Sequence, residues 1–267
     1  MRRCENRRVD DVGGYLQRRW EALGRAGALY CRPLVDRTPE SARRLVDPDG
    51  VLGDLTGRDV LCLAGGGGTQ SAAFGLLGAW VTVLDLDEGQ LERDREAAVE
   101  LGLNVRTEHG DMRDLSRFAE DTFDVVWHPY SMNFVPELDA VVAGVARVLR
   151  LGGIYVVMMA NPFAAGIGTK DWNGHGYVLR LPYVDGAEYE FEDEEWVGAD
   201  ADVPPPREFR HTLGKVVGSI SAAGLVLFRL DEETARPSAG PPGSWEHLKS
   251  VIPPWLSLWA RKSPGSI

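Results

Sequence analysis

The sequence predicts an α/β protein built on a doubly wound, mostly parallel sheet of seven strands. Two observations predict this fold class. Short apolar segments alternate with helix-compatible segments throughout residues 51–160, and the strand candidates at 60–63 and 154–159 are apolar without interruption. Alternation at this spacing is typical of right-handed crossovers between parallel strands. Uninterrupted apolar strands are typical of a sheet that helices cover on both faces.

Residues 1–50 predict a helical N-terminal cap. Apolar side chains, among them Val12, Leu16 and Trp20, recur at helical intervals through residues 12–29, and Pro33 then limits continuation of the helix. We therefore expect one long amphipathic helix ahead of the sheet.

Residues 51–160 predict the core of the protein. Its expected strands and helices, in chain order, lie at 60–63, 70–77, 81–84, 88–101, 105–108, 125–127, 138–149 and 154–159. Residues 161–205 are rich in Gly, Trp, Tyr, Asp and Glu, and we interpret them as an insertion at the carboxyl ends of the strands, where such sheets bind ligands. Residues 206–267 complete the core with a helix and two strands, at 209–223, 225–230 and 255–260.

A glycine-rich turn between two of these strands predicts a nucleoside-binding site. The first strand is followed by four glycines, Gly65 to Gly68, and the second ends in Asp85. Glycines let the backbone approach a ligand closely, and an acid at the end of the next strand can accept both hydroxyls of a ribose. A second acid, Asp111, could accept the amino hydrogens of adenine. S-adenosylmethionine and a nicotinamide or flavin dinucleotide both fit this pattern.

The spacing of the glycines disfavours the dinucleotide. In the fingerprint G-x-G-x-x-G, the third glycine packs the helix on the strand. Counting from Gly65, that position holds Gln70, and counting from Gly66 it holds Ser71, which is small enough to be tolerated.

From residue 60 to residue 157 the chain resembles the class I S-adenosylmethionine-dependent methyltransferases. Their landmarks occur in order: the glycine loop at 64–68, Asp85, Asp111, the fourth strand at 123–127, and the helix end and turn at 147–153. The resemblance implies a Rossmann-like fold whose seventh strand runs antiparallel beside the sixth. It also implies S-adenosylmethionine as cofactor and S-adenosylhomocysteine as product. Two positions depart from the family, which often has an acid at Cys62 and a glycine at Ala64.

The resemblance also implies a set of site residues, and it suggests that the N-terminal cap acts as a lid over the cofactor. Residues expected to bind the cofactor lie in the glycine loop, at the strand ends and in the cap: Ala64, Gly65, Gly66, Gly68, Asp85, Leu86, Gln90, Asp111, Met112, His128 and Tyr30. Residues expected to contact the acceptor substrate follow the fourth strand or lie in the insertion: Trp127, Asn133, Trp172 and His175.

Methyl transfer from a sulfonium is a single in-line displacement, so it requires alignment and exclusion of water rather than a covalent enzyme residue. A general base is needed only if the acceptor carries a proton of high pKa. His128 and Tyr130, after the fourth strand, are the candidate catalytic residues, because this strand end should face the methyl group and the ordinary pKa of His suits proton removal near neutral pH. Structural roles for both remain open.

Composition limits the partners. With 29 basic and 40 acidic residues the formal net charge is −11, which disfavours nucleic acid and anionic membranes. No apolar run is long enough to span a membrane, and the N-terminus lacks the apolar segment of a secretory signal, so we expect a cytoplasmic protein. The three cysteines have no metal-ligand spacing, and no metal is expected. The sequence does not indicate the oligomeric state.

Together these observations predict an S-adenosylmethionine-dependent methyltransferase acting on a small molecule. We expect an aromatic or heteroaromatic acceptor, methylated on nitrogen or carbon, in bacterial specialised metabolism. An NAD(P)-dependent oxidoreductase is the alternative enzyme. A cofactor-binding scaffold without catalysis is a third possibility, which the departures at Cys62 and Ala64 motivate.

Overall fold

The computed structural model describes residues 2–28, 31, 37–190, 202–235 and 240–264, with the backbone alone at residues 2–11 and 190. In chain order the helices and strands are α1 (Arg2–Arg25), α2 (Pro39–Val46), β1 (Asp59–Leu63), α3 (Gln70–Leu76), β2 (Trp80–Asp85), α4 (Glu88–Leu101), β3 (Val105–His109), β4 (Phe123–His128), α5 (Leu138–Val148), β5 (Leu149–Ala160), β6 (Glu188–Glu190), β7 (Arg207–Phe209), α6 (Leu213–Ala222), β8 (Leu225–Glu233), α7 (Trp245–Val251) and β9 (Trp255–Lys262).

A seven-stranded sheet with the order β3-β2-β1-β4-β5-β9-β8 organises the chain. Strands β1 to β5 run parallel to their neighbours, and β9 is antiparallel to both β5 and β8. The direction of winding reverses between β1 and β4, which opens a crevice at the carboxyl ends of these two strands. The predicted fold class, with seven strands and an antiparallel last strand, is confirmed.

The sheet has a hydrophobic core on each face. Side chains of a strand alternate between faces, so Leu61 and Leu63 pack with α1, α5 and α6, whereas Val60 and Cys62 pack with α2, α3 and α4. The uninterrupted apolar sequence of the central strands β1 and β5 at residues 60–63 and 154–159 follows from this double cover, because neither face of the sheet is solvated there.

Two helices differ from their predicted bounds. Helix α1 begins at Arg2 and ends at Arg25, so it starts ten residues earlier than the periodic segment at 12–29. The helix predicted at 209–223 begins only at Leu213, after Thr212, whose hydroxyl accepts the N–H of Lys215 at 3.4 Å. Phe209 instead ends β7, which pairs with β6 in a separate small antiparallel sheet.

This small sheet joins the insertion to the C-terminal part of the core. Strand β6 lies within the predicted insertion, and β7 follows its boundary at residue 206. The division of the chain at 50, 160 and 205 stays a prediction. Among the described helices, none has the length and apolar character needed to cross a bilayer. The described residues also contain no cluster of three His, Cys, Asp or Glu that could hold a metal ion.

Candidate active site

The glycine loop follows β1 with its backbone pressed against neighbouring segments. Ala64 adopts a left-handed conformation, with φ of 48°, and its N–H donates to Leu84 O at 2.7 Å. A Cβ at Gly65 would lie 2.8 Å from Pro129, and one at Gly66 would lie 2.6 Å from Gln90 Cβ. Both distances are shorter than van der Waals contact, so these positions require glycine.

Asp85 holds the loop from the end of β2. Its Oδ2 accepts the N–H of Gly66 at 2.9 Å, and its Oδ1 accepts the N–H of Asp87 at 2.9 Å. Burial raises the pKa of this carboxyl to about 6, although the two backbone donors oppose that shift. The carboxylate therefore lies directly beside the glycine loop, as the sequence predicted for a ribose-binding acid.

A second carboxylate holds the loop, and sequence reasoning missed it. Asp94 of α4 is fully buried and accepts the N–H groups of Gly67 and Gly68, each at 3.1 Å, as well as the hydroxyl of Ser71. Burial raises its pKa to about 7. The sequence feature that could have identified Asp94 is its position three residues after Leu91, which places an acid on the buried face of α4.

The second predicted acid, Asp111, lies in the loop after β3. Arg113 binds its carboxylate with Nε at 3.0 Å and a terminal nitrogen at 2.6 Å. Helix α1 covers this pair, because a Cβ at Gly13 would lie 3.3 Å from the Arg113 guanidinium and 3.9 Å from Asp111 Oδ2. The next residue, Met112, is buried in the core that α1 helps to form.

The predicted cofactor residues on α4 and in the cap are placed as follows. Gln90 is buried in the first turn of α4, where its carbonyl accepts the N–H of Gly67 at 3.2 Å and its amide nitrogen lies 3.2 Å from Cys31 Sγ. Leu86 packs on the core beside Asp85, and Tyr30 lies outside the described residues. The loop, Asp85, Leu86 and Gln90 are thus brought together at one end of the sheet.

His128 ends β4 inside the protein. Its side chain is fully buried, with Nδ1 3.0 Å from the hydroxyl of Tyr155, and Nε2 has no partner among the described residues. Burial lowers its pKa to about 3, because the imidazolium would lose its hydration. The imidazole is therefore neutral near pH 7 and accepts a proton there only at a cost, which disfavours it as a general base.

Tyr130, two residues further on, belongs to a buried polar cluster. Its hydroxyl donates to Glu208 Oε2 at 2.7 Å, and the hydroxyl of Tyr189 donates to the same oxygen. Glu208, in β7, is 1% exposed, and its Oε1 has no partner among the described residues. Sequence reasoning missed Glu208 because it lies 78 positions from Tyr130 and carries no local motif.

The predicted acceptor residues do not form one group. Trp127 packs in the core opposite the α1 face, edge-on to Phe74 and Trp259. Asn133 is buried, and it bridges Ala160 N at 2.9 Å and Phe209 O at 3.0 Å.

The other two acceptor candidates lie in the insertion. Trp172 packs edge-to-face with His247, with ring centroids 4.7 Å apart. His175 is exposed in the turn after Asn173. Roles of these four residues in acceptor binding stay predictions.

A cleft of about 220 Å³ opens beyond the carboxyl end of β5. Its walls include Phe163 and Tyr183, whose rings stack with centroids 4.7 Å apart, and the guanidinium of Arg210 lies 6.0 Å from the Tyr183 ring. This volume suits a small molecule and is lined by aromatic, apolar and cationic groups.

Comparison with known proteins agrees with this geometry. Residues 61–157 match the family model described as Methyltransferase domain. The chain is 44% identical over 108 residues to the "Uncharacterized methyltransferase YbaJ" of Bacillus subtilis (strain 168), covering 40% of this chain and 42% of that protein. It is 31% identical over 134 residues to a "Ubiquinone biosynthesis O-methyltransferase" of Alkalilimnicola ehrlichii, covering 49% of this chain and 53% of that protein. The chain thus spans about half the length of these curated relatives.

A solved structure extends the likeness over more of the fold. The S-adenosylmethionine-dependent methyltransferase from Mesorhizobium loti superposes with a TM-score of 0.62 at 20% identity, over 83% of this chain and 96% of that one. Strands β1 to β5 and the glycine loop held by Asp85 lie within or beside the matched residues 61–157. Residues 61–157 therefore carry a methyltransferase domain, and the fold is that of the S-adenosylmethionine-dependent methyltransferases.

Proposed function

We propose that this protein transfers a methyl group from S-adenosylmethionine to a small aromatic or heteroaromatic acceptor, on nitrogen or carbon, in bacterial specialised metabolism. S-adenosylhomocysteine is then the second product. The absence of nucleic-acid and membrane partners, and a cytoplasmic location, stay predictions.

The state of the glycine-loop amides is the observation that carries this proposal. The N–H of Gly66 donates to Asp85, and those of Gly67 and Gly68 donate to Asp94. A dinucleotide needs such amides at the helix N-terminus to bind its pyrophosphate. Here they are occupied, and two carboxylates at that position would repel phosphate oxygens. The residues fit an adenosyl group, which has no phosphate, better than a dinucleotide.

Bound S-adenosylmethionine supplies a methyl group on a positively charged sulfur. The residues of this chain would bind and orient the rest of the molecule. Asp85 would accept the ribose hydroxyls and Asp111 would accept the adenine amino hydrogens. The glycines would let the loop backbone pack against Pro129 and Gln90 and thereby fix its position beside Asp85. Helix α1, which covers Asp111, would exclude water from the site.

The cleft beyond β5 supports a small acceptor. A volume of about 220 Å³ suits a molecule of one or two rings, and the stacked pair of Phe163 and Tyr183 offers flat apolar contact. A curated relative named for ubiquinone biosynthesis also supports a ring-containing acceptor. Of the two candidate bases, Tyr130 is favoured over His128, because Tyr130 has a carboxylate partner and His128 does not.

Calorimetric titration with S-adenosylhomocysteine, S-adenosylmethionine, NAD and NADP tests the cofactor. We expect binding of the first two alone, since the occupied amides exclude a pyrophosphate. Asp111→Asn should weaken binding of S-adenosylhomocysteine by about tenfold, as expected for one charged hydrogen bond. Asp114→Asn, three residues away and solvent-exposed, is the matched control and should leave the affinity unchanged.

Formation of S-adenosylhomocysteine with a panel of hydroxylated and nitrogen-heterocyclic aromatic compounds tests the reaction. Methylation of a panel member supports the enzyme. Tight binding of NADP would contradict the cofactor assignment, and binding of S-adenosylmethionine without methylation of any member would favour the scaffold.

A further inference from the structure

Glu208 is a buried carboxyl group with an incomplete set of partners. Both hydrogen bonds it accepts come from neutral phenols, Tyr130 and Tyr189, and both reach Oε2. Its Oε1 is buried without a partner among the described residues. A buried carboxylate is costly unless its lone pairs are satisfied. Such an unsatisfied group in an otherwise well-packed site points to a function.

The cluster lies between the cofactor loop and the cleft. Pro129, which precedes Tyr130, touches the glycine loop, because a Cβ at Gly65 would lie 2.8 Å from its ring. On the other side, Tyr189 lies 3.7 Å from the Cβ position of Gly166, and Gly166 lines the cleft. The hydrogen bonds from Tyr130 and Tyr189 to Glu208 therefore connect the strand end that borders the cofactor loop with a side chain that packs beside the wall of the cleft.

We propose that Glu208 accepts, through the hydroxyl of Tyr130, the proton that the acceptor releases during methyl transfer. This inference rests on the proposed function and adds an acceptor class, one that carries an ionisable proton on a ring nitrogen. An acceptor without such a proton would need no carboxylate at this position.

The proton transfer balances in atoms and charge. The acceptor's bond to hydrogen breaks, and its electron pair remains on the acceptor and forms the new bond to the methyl carbon. The sulfur keeps the electron pair of the bond that it loses, which neutralises its charge. Tyr130 Oη takes the released proton while its own proton passes to Glu208 Oε2. Glu208 thereby changes from carboxylate to carboxylic acid, and it returns that proton to water after the products leave.

The charged and titratable surroundings of Glu208 suit this task. Tyr130 faces it from the loop after β4, Tyr189 from β6, and Arg19 from α1. Burial raises the pKa of Glu208 to about 7, while the two phenols and Arg19 oppose that rise. Proton acceptors work best when their pKa lies near the working pH.

The variant Glu208→Gln tests the proposal, because the amide keeps an oxygen for the two phenols but cannot take the proton. With a panel compound that the wild type methylates, kcat should fall about a hundredfold or more. The KM and the affinity for S-adenosylhomocysteine should change less than threefold. The rise of kcat near pH 7 should disappear in Glu208→Gln and return in Glu208→Asp. Glu188→Gln makes the same chemical change on the paired strand β6 and should keep wild-type kcat.

Infrared spectroscopy supplies a readout that needs no acceptor. The wild type minus Glu208→Gln difference spectrum should contain a carboxylic-acid C=O band that disappears as the pH rises through about 7. A Glu208 that keeps one protonation state from about pH 5 to 9 overturns the proposal, and so does a Glu208→Gln protein with wild-type kcat. If the wild type binds no S-adenosylhomocysteine, the proposed function is contradicted instead. The infrared titration of Glu208 is measured without that ligand, so the two failures are distinguishable.

Discussion

Replacing Asp94 with alanine should destabilise the protein in a pH-dependent way. The carboxylate accepts three hydrogen bonds, from the N–H groups of Gly67 and Gly68 and the hydroxyl of Ser71. Leaving a buried donor without a partner costs about 1–3 kcal/mol, and Gly67 keeps the carbonyl of Gln90 as a partner. Loss of the partner of Gly68 and Ser71 should therefore lower the free energy of unfolding by about 4 kcal/mol at pH 5.

The loss should be smaller at pH 8. Burial raises the pKa of Asp94 from its usual 3.8 to about 7, so the folded wild type holds a proton that the unfolded chain releases. The contribution of Asp94 to stability therefore falls as the pH rises through about 7. Between pH 5 and 8 this amounts to about 3 kcal/mol, at about 1.4 kcal/mol for each pH unit. The alanine variant lacks this titration, so its deficit should shrink to about 1 kcal/mol at pH 8.

Urea denaturation at both pH values measures these differences. Ser71→Ala is the matched control, because it removes one of the three hydrogen bonds and keeps the titrating carboxyl group. It should cost about 1 kcal/mol, and the cost should not shrink at pH 8, because this hydrogen bond favours the ionised form of Asp94. Calorimetry with S-adenosylhomocysteine should show weaker binding to Asp94→Ala, since the loop amides lose the group that fixes them. An equal loss of stability at pH 5 and pH 8, or a loss below about 0.5 kcal/mol at pH 5, would refute the reasoning.

Three further outcomes are expected. Gly66→Ala should abolish detectable binding of S-adenosylhomocysteine in calorimetry, because the new Cβ would lie 2.6 Å from Gln90 Cβ. The control variant Gly214→Ala should bind normally, because nothing lies within 4 Å of its Cβ position, and equal affinities of the two variants would contradict the packing argument. The free energy of unfolding of the wild type should fall as the pH rises from about 4 to about 7, because burial raises the Glu208 pKa from 4.5 to about 7. Glu208→Gln should remove about 3 kcal/mol of that fall, and parallel pH profiles of the two proteins in urea denaturation would disprove this. His128→Ala should lower the free energy of unfolding by about 3 kcal/mol, because the substitution leaves a cavity and a Tyr155 hydroxyl without its partner. The pH dependence of turnover should stay as in wild type, whereas a stable variant with a shifted pH profile would support His128 as a base.

Periodicity and strand spacing were sufficient to predict the fold. Strands β1, β2 and β4 fall close to the predicted positions because each is a largely apolar run between turn signals. Strand β5 begins at Leu149, five residues before its predicted start. The bounds of the helix after β7 were wrong because residues 207–209 pair with a strand that is distant in sequence. Pairing over that distance depends on tertiary contacts, which local propensity does not contain.

The site was predictable only where its residues form a local motif. The glycines directly follow β1 and Asp85 ends β2. Because β1 and β2 are parallel neighbours, their carboxyl ends meet at one edge of the sheet, and the sequence alone predicts this proximity. Glu208 reaches Tyr130 across 78 positions, and only the folded insertion brings them together. Strand alternation could have separated Trp127 from His128, since neighbouring residues of β4 face opposite sides of the sheet.

Helix α1 has a kinetic consequence. It lies over Asp111 at Gly13, while Tyr15 and Arg19 donate hydrogen bonds to the carbonyls of Pro205 and Pro204 beside β7. A ligand that occupied the crevice beneath it would be enclosed between this helix and the small sheet. Entry and departure would then require those two hydrogen bonds to break first, so the detachment of one N-terminal segment would set an upper limit on how fast successive reaction cycles follow each other.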